Sequence, residues 1–361
     1  MPNEVVLVTG FPGIESRMLV ERILAEEPET KILLVVWHDL MDRAQLALES
    51  MDHRERIEVL AGDAAAIDFG LSGPEYRRVV RLVTRAHHLA RSTYVGVSKA
   101  TAHYTNVQGA IEMVELAAEA SSLQCLVHHS SAFVSGDRSG TVYEDDLDEG
   151  QGYFSEVQRT QMQAERVMRR SMRELPITVL RPTMIVGDSV TGEVDRFGGP
   201  YLLVMLLLGV PGDLAVPMPI PPAVPVDFVP VDYVVKAAHH VGRHATALRR
   251  TLHLRSPERL TARDVFELIA QCSGRRVLQS YLPSHLANAL VRTPGIKRVL
   301  QEPRAFLQQL SAGACYDDRT SRRILADTGI VCPALASYID TWVSAVKAHV
   351  GTQRGVGSRV H

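Results

Sequence analysis

The sequence has few cysteines, no long hydrophobic run and no excess of charge of either sign. Cys125, Cys272, Cys315 and Cys332 lack the paired spacing of a zinc or disulfide site, so we predict free thiols, no bound metal and a cytoplasmic location. The longest apolar run, Leu202 to Leu208 with Val210 beyond it, is far shorter than the roughly 20 residues that span a bilayer. With 39 basic and 41 acidic residues, the chain lacks the electrostatic footprint of a nucleic-acid-binding protein.

The remaining features are those of a soluble globular protein with small-molecule or protein ligands. A chain of 361 residues that is 46% hydrophobic buries a large core without needing a partner to fold. The N-terminus runs straight into an apolar stretch without a basic segment, so we predict no secretion signal. We expect a monomer or a homodimer.

Strand-like and helical segments alternate through the first half of the chain. Continuous Val/Ile/Leu runs are typical of parallel strands buried on both faces, and periodic apolar positions between them indicate helices. The predicted strands are Val5 to Val8, Ile32 to Val36, Ile57 to Leu60, Cys125 to His128 and Ile177 to Leu180, and the predicted helices follow Ile14, surround Tyr76 to Val83 and run from about Ala102 to Ala120. The pattern predicts an α/β fold with a doubly wound parallel Rossmann sheet and a smaller C-terminal substrate-binding region.

The character of the sequence changes near residue 190, where a glycine-rich turn and a proline-rich stretch interrupt the alternation. We predict a dinucleotide-binding core over residues 1–190 and a mainly substrate-binding, capping region over residues 191–350. Within the second region, residues of about 224–240 are expected to return to the core, with a strand near Val224 to Val231. Residues 351–361 are polar and glycine-rich and are predicted to be a disordered tail.

A glycine-rich turn joins the first predicted strand to the first predicted helix, with Gly10, Gly13 and Ser16 at the spacing of T-G-x-x-G-x-x-G. Gly10 permits a tight turn, and Gly13 lets the backbone approach a pyrophosphate whose charge the helix N-terminus favours. Ser16, a small residue in place of the third glycine, still permits close packing of helix on strand. The predicted contacts of this phosphate loop are Thr9, Gly10, Phe11, Pro12, Gly13 and Ile14.

Further cofactor positions follow the next predicted strands. Gly62 and Asp63 are placed for the adenine amino group, and Ala90 brings small-residue backbone close to the cofactor. Arg91 either binds a phosphate or anionic substrate or is a solvated loop residue. The residues after the second strand are compatible with both NAD and NADP: Trp37 for stacking on adenine, Asp39 for a free ribose hydroxyl, and His38 and Arg43 for a 2′-phosphate.

Several segments, in order along the chain, resemble the thioester-reductase-like branch of the extended short-chain dehydrogenase/reductases, which includes fatty acyl reductases. They are I-D-F-G-L-S at 67–72, N-V-Q-G at 106–109, S-S-A-F-V-S-G-D-R at 130–138, R-P-T-M-I-V-G-D-S at 181–189 followed by T-G-E at 191–193, and V-P-V-D-Y at 229–233. The resemblance extends from Val5 to about Cys272. It implies an NAD(P)-dependent oxidoreductase, with Asn106, Gln161 and Pro182 also near the cofactor.

The resemblance also implies an active site from which two groups are missing. This family uses a Ser or Thr after a strand and a Tyr-x-x-x-Lys pair on the following helix, where the lysine lowers the tyrosine pKa and the phenol donates a proton. Ser131 matches the first position. Alignment of the helix without gaps places Val157 at the tyrosine and Gln161 at the lysine. Neither performs the original task, although the Gln161 amide still suits ribose hydroxyls.

Two hypotheses follow for the function. In the first, the protein is a divergent reductase of a hydrophobic acyl, carbonyl, iminium or quinonoid substrate, and Ser131, Tyr94, Tyr153 or His129 replaces the missing donor. In the second, it is a non-redox isomerase, cyclase or dehydratase-like enzyme, or a cofactor-sensing protein. The apolar Leu202 to Leu208 run suggests a buried helix, a flap over a hydrophobic, carrier- or CoA-linked substrate, or a helix of a dimer interface.

Overall fold

The computed structural model describes residues 4–209, 215–218, 220–281 and 303–357. The strands are β1 Val5–Thr9, β2 Lys31–Val36, β3 Ile57–Ala61, β4 Arg85–His88, β5 Cys125–His129, β6 Gly140–Val142, β7 Ile177–Pro182, β8 Met184–Val186, β9 Ala215–Met218, β10 Pro225–Val226, β11 Phe228–Pro230, β12 Thr251–Leu254, β13 Leu260–Thr261, β14 Arg276–Tyr281 and β15 Ala314–Tyr316. The helices are α1 Ile14–Glu26, α2 Met41–Glu49, α3 Gly73–Leu82, α4 Lys99–His103, α5 Gly109–Glu119, α6 Glu156–Ser171, α7 Tyr201–Gly209, α8 Val231–Val241, α9 Ala262–Ser273, α10 Pro303–Ser311, α11 Arg319–Leu325 and α12 Leu335–Gly357.

Seven strands form one parallel sheet in the order β12-β7-β5-β4-β1-β2-β3. Helices α1, α2 and α8 pack on one face and α3, α5 and α6 on the other. Because both faces are covered, strands such as β1 and β2 are apolar and read as Val/Ile/Leu runs, whereas β4 is buried but has the polar sequence R-A-H-H. The predicted doubly wound α/β fold is confirmed.

The strand order reverses between β1 and β4. In open parallel sheets, ligands bind in the crevice beyond the carboxyl ends of the strands at such a reversal. Thr9 ends β1, His88 ends β4 and His129 ends β5, so these three residues mark the edge at which a site is expected.

Helix α7 is an internal core helix, which agrees with the buried-helix alternative for this run and not with a flap or a dimer helix. Leu202, Val204 and Leu207 are fully buried, and α7 packs against α9 and α12 in a second hydrophobic core. A helix that is apolar all round has no polar face to turn to solvent, and burial on every side follows. Val210 lies outside the described residues. Among the helices that the structure describes, none is both long and apolar enough to cross a bilayer.

The chain rejoins the main sheet later than predicted. Strand β12 at Thr251–Leu254 forms the edge beside β7, whereas β10 and β11 pair only with β13 and β8. Strand β11 ends at Pro230, directly before the first residue of α8. The following helix, α8, does return to the core, where it packs on α1.

Helix α12 ends at Gly357, and residues 358–361 lie outside the described part of the chain. The disordered tail predicted for residues 351–361 stays a prediction. Extending a helix that is already formed costs far less than starting one. The packed first half of α12, with Trp342 and Val346 buried, therefore supports the polar turns that follow.

Candidate dinucleotide and catalytic site

The turn between β1 and α1 has the close packing that its glycines predict. Gly10 has a φ of +84°, and a Cβ on it would lie 2.7 Å from the carbonyl carbon of Leu89. A side chain at this position would push β1 away from the end of β4. Ser16 donates from its hydroxyl to the carbonyl oxygens of Gly10 at 3.0 Å and Gly13 at 2.8 Å. The residue that replaces the third glycine thus closes the loop by hydrogen bonding.

The first turn of α1 presents its backbone amides to an anion. Gly13 is the N-cap residue of α1, and no side chain caps the helix from this position. The N–H of Ile14 donates to Oδ2 of Asp195 at 2.7 Å. Phe11 and Pro12 are buried beneath the loop. The start of α1 therefore binds negative charge, as a pyrophosphate site requires.

The Thr9 side chain is hydrogen-bonded to the backbone that follows β4. The side chain is fully buried, and its hydroxyl accepts from the N–H groups of Leu89 and Ala90, both at 3.1 Å. Its proton then points to Nδ1 of His88, also at 3.1 Å. The Thr9 side chain therefore fixes the turn that carries Ala90, and its contact with the cofactor stays a prediction.

A buried ionic group that sequence reasoning missed lies beside the phosphate loop. Glu15, on the first turn of α1, accepts from Arg91 at 2.6 Å and from Nδ1 of His129 at 2.7 Å. Burial acts to raise the pKa of Glu15, but the Arg91 and His129 contacts outweigh it and lower that pKa to about 2. Arg91 is therefore a half-buried partner of α1, in place of the solvated residue that one interpretation expected.

The depressed pKa of Glu15 predicts acid sensitivity. Since the folded-state pKa lies below the ordinary value of 4.5, ionised Glu15 stabilises the fold above about pH 4.5, and this contribution is lost as pH falls toward 2. We expect the free energy of unfolding of Glu15→Gln, measured by urea denaturation from pH 5 to pH 2.5, to fall less steeply than that of the native chain. Glu29→Gln, at an exposed position, is the control, and identical slopes for Glu15→Gln and the native chain would contradict the assignment.

His87, His88, His128 and His129 lie at the ends of β4 and β5. All are buried, and burial is the largest cause that lowers the pKa of each, that of His128 to about 3. These rings are consequently neutral at ordinary pH. Nε2 of His129 lies 3.4 Å from Nδ1 of His87, and its other nitrogen is bound to Glu15. His129 is therefore engaged at both nitrogens and is a poor candidate for the replacement donor.

The α6 face predicted to carry the catalytic pair is buried and tied to the loop after β4. Val157 and Gln161 lie one helical turn apart, and Gln161 donates from Nε2 to the carbonyl oxygen of Ser92 at 3.3 Å. Asn106 accepts from the N–H of Ser92 at 2.7 Å and donates to the hydroxyl of Thr160 at 2.9 Å. Asn106, predicted to contact the cofactor, uses its amide to hold this loop against α6.

Tyr94 lies two residues beyond Ser92 on the same loop. Its hydroxyl oxygen is buried and has no hydrogen-bond partner in the described part of the chain. The guanidinium carbon of Arg196 lies 4.5 Å from the ring centroid, within the range of a cation–π interaction. The Tyr153 hydroxyl is also without a partner among the described residues, and burial raises the pKa of Tyr153 to about 12.

Ser131 follows β5 and keeps its hydroxyl proton available. Its oxygen accepts from the N–H of Phe133 at 3.2 Å, and the residue is half-buried. A cavity of about 320 Å³ is lined by Phe133 and by Thr183, which follows the end of β7 at Pro182. Most of its remaining wall comes from Met184, Pro225, Val226, Leu260, Leu310, residues 312–316, which include β15, and a charged group of Asp227, Arg255, Glu258 and Arg259.

The central charges of that wall are paired with each other. Asp227 accepts from Nε of Arg255 at 3.0 Å, from the Thr183 hydroxyl at 3.0 Å and from the N–H of Ser256 at 2.8 Å. Burial raises the pKa of Asp227 to about 6. Because these polar groups satisfy one another, the apolar part of the wall is what a ligand in the cavity would contact.

The residues predicted for the adenosine end lie at the carboxyl ends of β2 and β3. Trp37 is 52% exposed, and His38 and Arg43 are exposed on the turn and helix that follow it. Gly62 packs closely, because a Cβ there would lie 2.5 Å from the Phe69 carbonyl oxygen.

Asp63 has a partner that the sequence did not reveal. It accepts from the N–H of Ala65 and from the hydroxyl of Tyr104, both at 2.9 Å. Each carboxylate oxygen has a second lone pair, so Asp63 still has acceptor capacity for an adenine amino group.

The sequence from residue 8 to residue 238 matches the family model described as male sterility protein, an NAD-binding domain. The chain belongs to this family. The match spans more than half of the chain and includes the phosphate loop, Ser131 and α6. It confirms the predicted membership of the extended, thioester-reductase-like dehydrogenase/reductases, an NAD(P)-dependent oxidoreductase class, and the prediction of an NAD(P) cofactor.

Curated relatives of this male sterility family member are larger proteins. A fatty acyl-CoA reductase, wat, of Drosophila melanogaster is 26% identical over 54% of this chain and 46% of its own length. A nonribosomal peptide synthetase, asaC, of Aspergillus flavus is 28% identical over 81% of this chain and 31% of its own length. The chain therefore spans less than half of each.

Solved structures of low sequence identity share the fold. The terminal R domain of the myxalamid PKS-NRPS pathway superposes with a TM-score of 0.80 at 23% identity and covers 97% of this chain and 92% of its own. A UDP-glucuronic acid 4-epimerase from Bacillus cereus in complex with NAD has a TM-score of 0.67 at 15% identity, covering 96% and 99%. The architecture of the male sterility domain is thus shared with both.

Proposed function

We propose that the protein is an NAD(P)H-dependent reductase of hydrophobic acyl thioesters or aldehydes, in which Tyr94 replaces the missing tyrosine of α6. The observation that carries the proposal is the buried, unpartnered Tyr94 hydroxyl among the described residues, on a loop that Gln161 ties to α6. A buried hydroxyl without a partner is costly unless a ligand uses it.

The residues at the carboxyl edge of the sheet fit a dinucleotide. Gly10 and Gly13 allow close backbone approach, the N–H of Ile14 offers a donor for phosphate, and Asp63 and Trp37 lie at the adenosine end. When bound, NAD(P)H supplies a hydride for the acyl carbon, so that a thioester and one proton yield an aldehyde and a free thiol.

The chain itself supplies orientation and the proton. The free hydroxyl proton of Ser131 holds the carbonyl oxygen of the substrate, and Tyr94 gives its proton to the developing alkoxide. The Arg196 guanidinium against the ring stabilises the negative charge that remains on the phenol oxygen. Val157, which is 4% exposed, keeps this part of α6 dry.

The substrate class follows from the cavity and the relatives. Phe133, two residues after Ser131, lines the cavity. The exposed part of the cavity wall is largely apolar, which suits an acyl chain. The names of the relatives, a fatty acyl-CoA reductase and a nonribosomal peptide synthetase, support an acyl group linked to coenzyme A or to a carrier. Since α7 is buried in the core, it does not contribute to this affinity.

The test is a fluorescence titration with NADH and NADPH, followed by a screen for cofactor oxidation. The acceptors are acyl-CoA thioesters of increasing chain length, the matching aldehydes, an iminium and a quinone, with the reaction lacking an acceptor as the blank. We expect oxidation with thioesters and aldehydes, faster for longer chains. Tight cofactor binding without oxidation of any acceptor would reject the proposal in favour of a non-redox protein.

A further inference from the structure

A loop of residues 188–197, which we call the Asp195 loop, lies across the start of α1. Its base is fixed, because the Asp188 carboxylate accepts from the N–H groups of Val190 and Thr191 at 2.9 and 2.7 Å. Ser189 donates from its N–H to Asp232 at 3.1 Å, which anchors the loop to α8. The loop is thus a defined structure held at one end.

The far end of the loop makes three contacts around the phosphate loop. Asp195 accepts from the N–H of Ile14 at 2.7 Å, Glu193 forms an ion pair with Arg17 on α1, and Arg196 lies over the ring of Tyr94. One short segment therefore covers both the anion-binding end of α1 and the candidate proton donor.

Asp195 occupies the place that a phosphate needs. Its Oδ2 is bound to the N–H of Ile14 and lies 3.5 Å from where a Cβ of Gly13 would stand. The amides at this helix N-terminus are the ones that a dinucleotide pyrophosphate uses. One N–H serves one strong acceptor, and two anions at a single helix end repel each other. The carboxylate and the pyrophosphate must therefore exclude one another.

We propose that Asp195 determines the affinity of the protein for its dinucleotide, as an internal carboxylate that competes with the pyrophosphate for the start of α1. Cofactor binding displaces the carboxylate from the Ile14 amide, whereas Arg196 stays over the Tyr94 ring. The apparent dissociation constant equals the intrinsic one divided by the fraction of molecules in which Asp195 has left the amide. It therefore rises as Asp195 holds the amide in more of the molecules. This inference needs only NAD(P) binding, so its failure and that of the proposed reductase activity are distinguishable.

The experiment measures binding without any acceptor. We expect Asp195→Ala and Asp195→Asn to lower the Kd of both NADH and NADPH by roughly ten- to a hundredfold, the range of a charge-assisted hydrogen bond. Glu21→Gln is the control, because it removes one negative charge from α1, where the Glu21 carboxylate faces Arg17 at 3.8 Å and does not bind the Ile14 amide. We expect this control to change Kd by less than about threefold.

A kinetic measurement guards against misfolded variants. If Asp195 must leave first, the observed rate of NADPH binding in stopped-flow fluorescence reaches a plateau with concentration in the native chain and rises linearly in Asp195→Ala. Weaker or unchanged cofactor binding by a folded Asp195→Ala chain would overturn the proposal. So would an equal gain in Glu21→Gln, because the effect would then be general electrostatics.

Discussion

Replacing Tyr94 with phenylalanine is expected to lower kcat for thioester or aldehyde reduction by roughly 10²–10⁴-fold, the usual contribution of a positioned general acid. The substitution removes one oxygen, and because that oxygen has no hydrogen bond in the described structure, the fold loses no hydrogen bond. We expect the Kd for NADPH to stay within about threefold, so the loss appears in kcat. Steady-state kinetics together with a cofactor titration measure both quantities.

Tyr153→Phe is the matched control for this prediction. Its hydroxyl is likewise buried without a partner among the described residues, but it lies directly before α6 instead of on the loop that Gln161 holds. We expect Tyr153→Phe to keep most of the native kcat. A large loss in Tyr153→Phe with an active Tyr94→Phe would transfer the donor role to Tyr153, and unchanged kcat in both would leave Ser131 as the donor.

The parts of this molecule that depend on local sequence were predictable. The alternation of buried strands and helices predicted most of the sheet, since parallel strands covered on both faces are usually apolar; the interior strand β4, R-A-H-H at 85–88, is an exception. The spacing of Gly10, Gly13 and Ser16 predicted a tight turn before α1, where the structure has one. Strand β12 was missed because its four residues, T-L-H-L at 251–254, are too short and too polar to stand out.

The parts that depend on distant residues meeting were not predictable. Glu15, Arg91 and His129 belong to three separate segments, and only the topology brings them to one edge of the sheet. The sequence offered one indication of this cluster: Glu15 is a charged residue on the first turn of a core helix. Asp195 lies 181 positions from Ile14, and no spacing rule connects them. The burial of α7 was also a tertiary fact, because an apolar run suits a core, a flap and an interface equally.

Replacing Glu165 with alanine is expected to lower the free energy of unfolding by about 3–5 kcal/mol, the cost of leaving one partner of a buried ion pair alone. Glu165 is fully buried on α6 and Arg181 is 1% exposed on β7. The carboxylate accepts from Nε of Arg181 at 2.9 Å and from the Ser130 hydroxyl at 2.7 Å. Its removal leaves a guanidinium and a hydroxyl without their partner in a dry interior. Urea denaturation at pH 7 measures the loss.

Glu156→Ala is the control on the same helix, because it removes an equal charge from an ion pair that is not buried. Glu156 pairs with Arg159 at the surface, where an ion pair contributes about 0–1 kcal/mol, so a loss above about 1 kcal/mol is not expected. The double replacement Glu165→Leu, Arg181→Met removes both buried charges and should recover much of the stability. If Glu165→Ala cost no more than Glu156→Ala, the pair would not hold α6 against the sheet. Since Ser130 directly precedes Ser131, the same pair also fixes the end of β5 beside Ser131, the residue proposed to hold the substrate carbonyl.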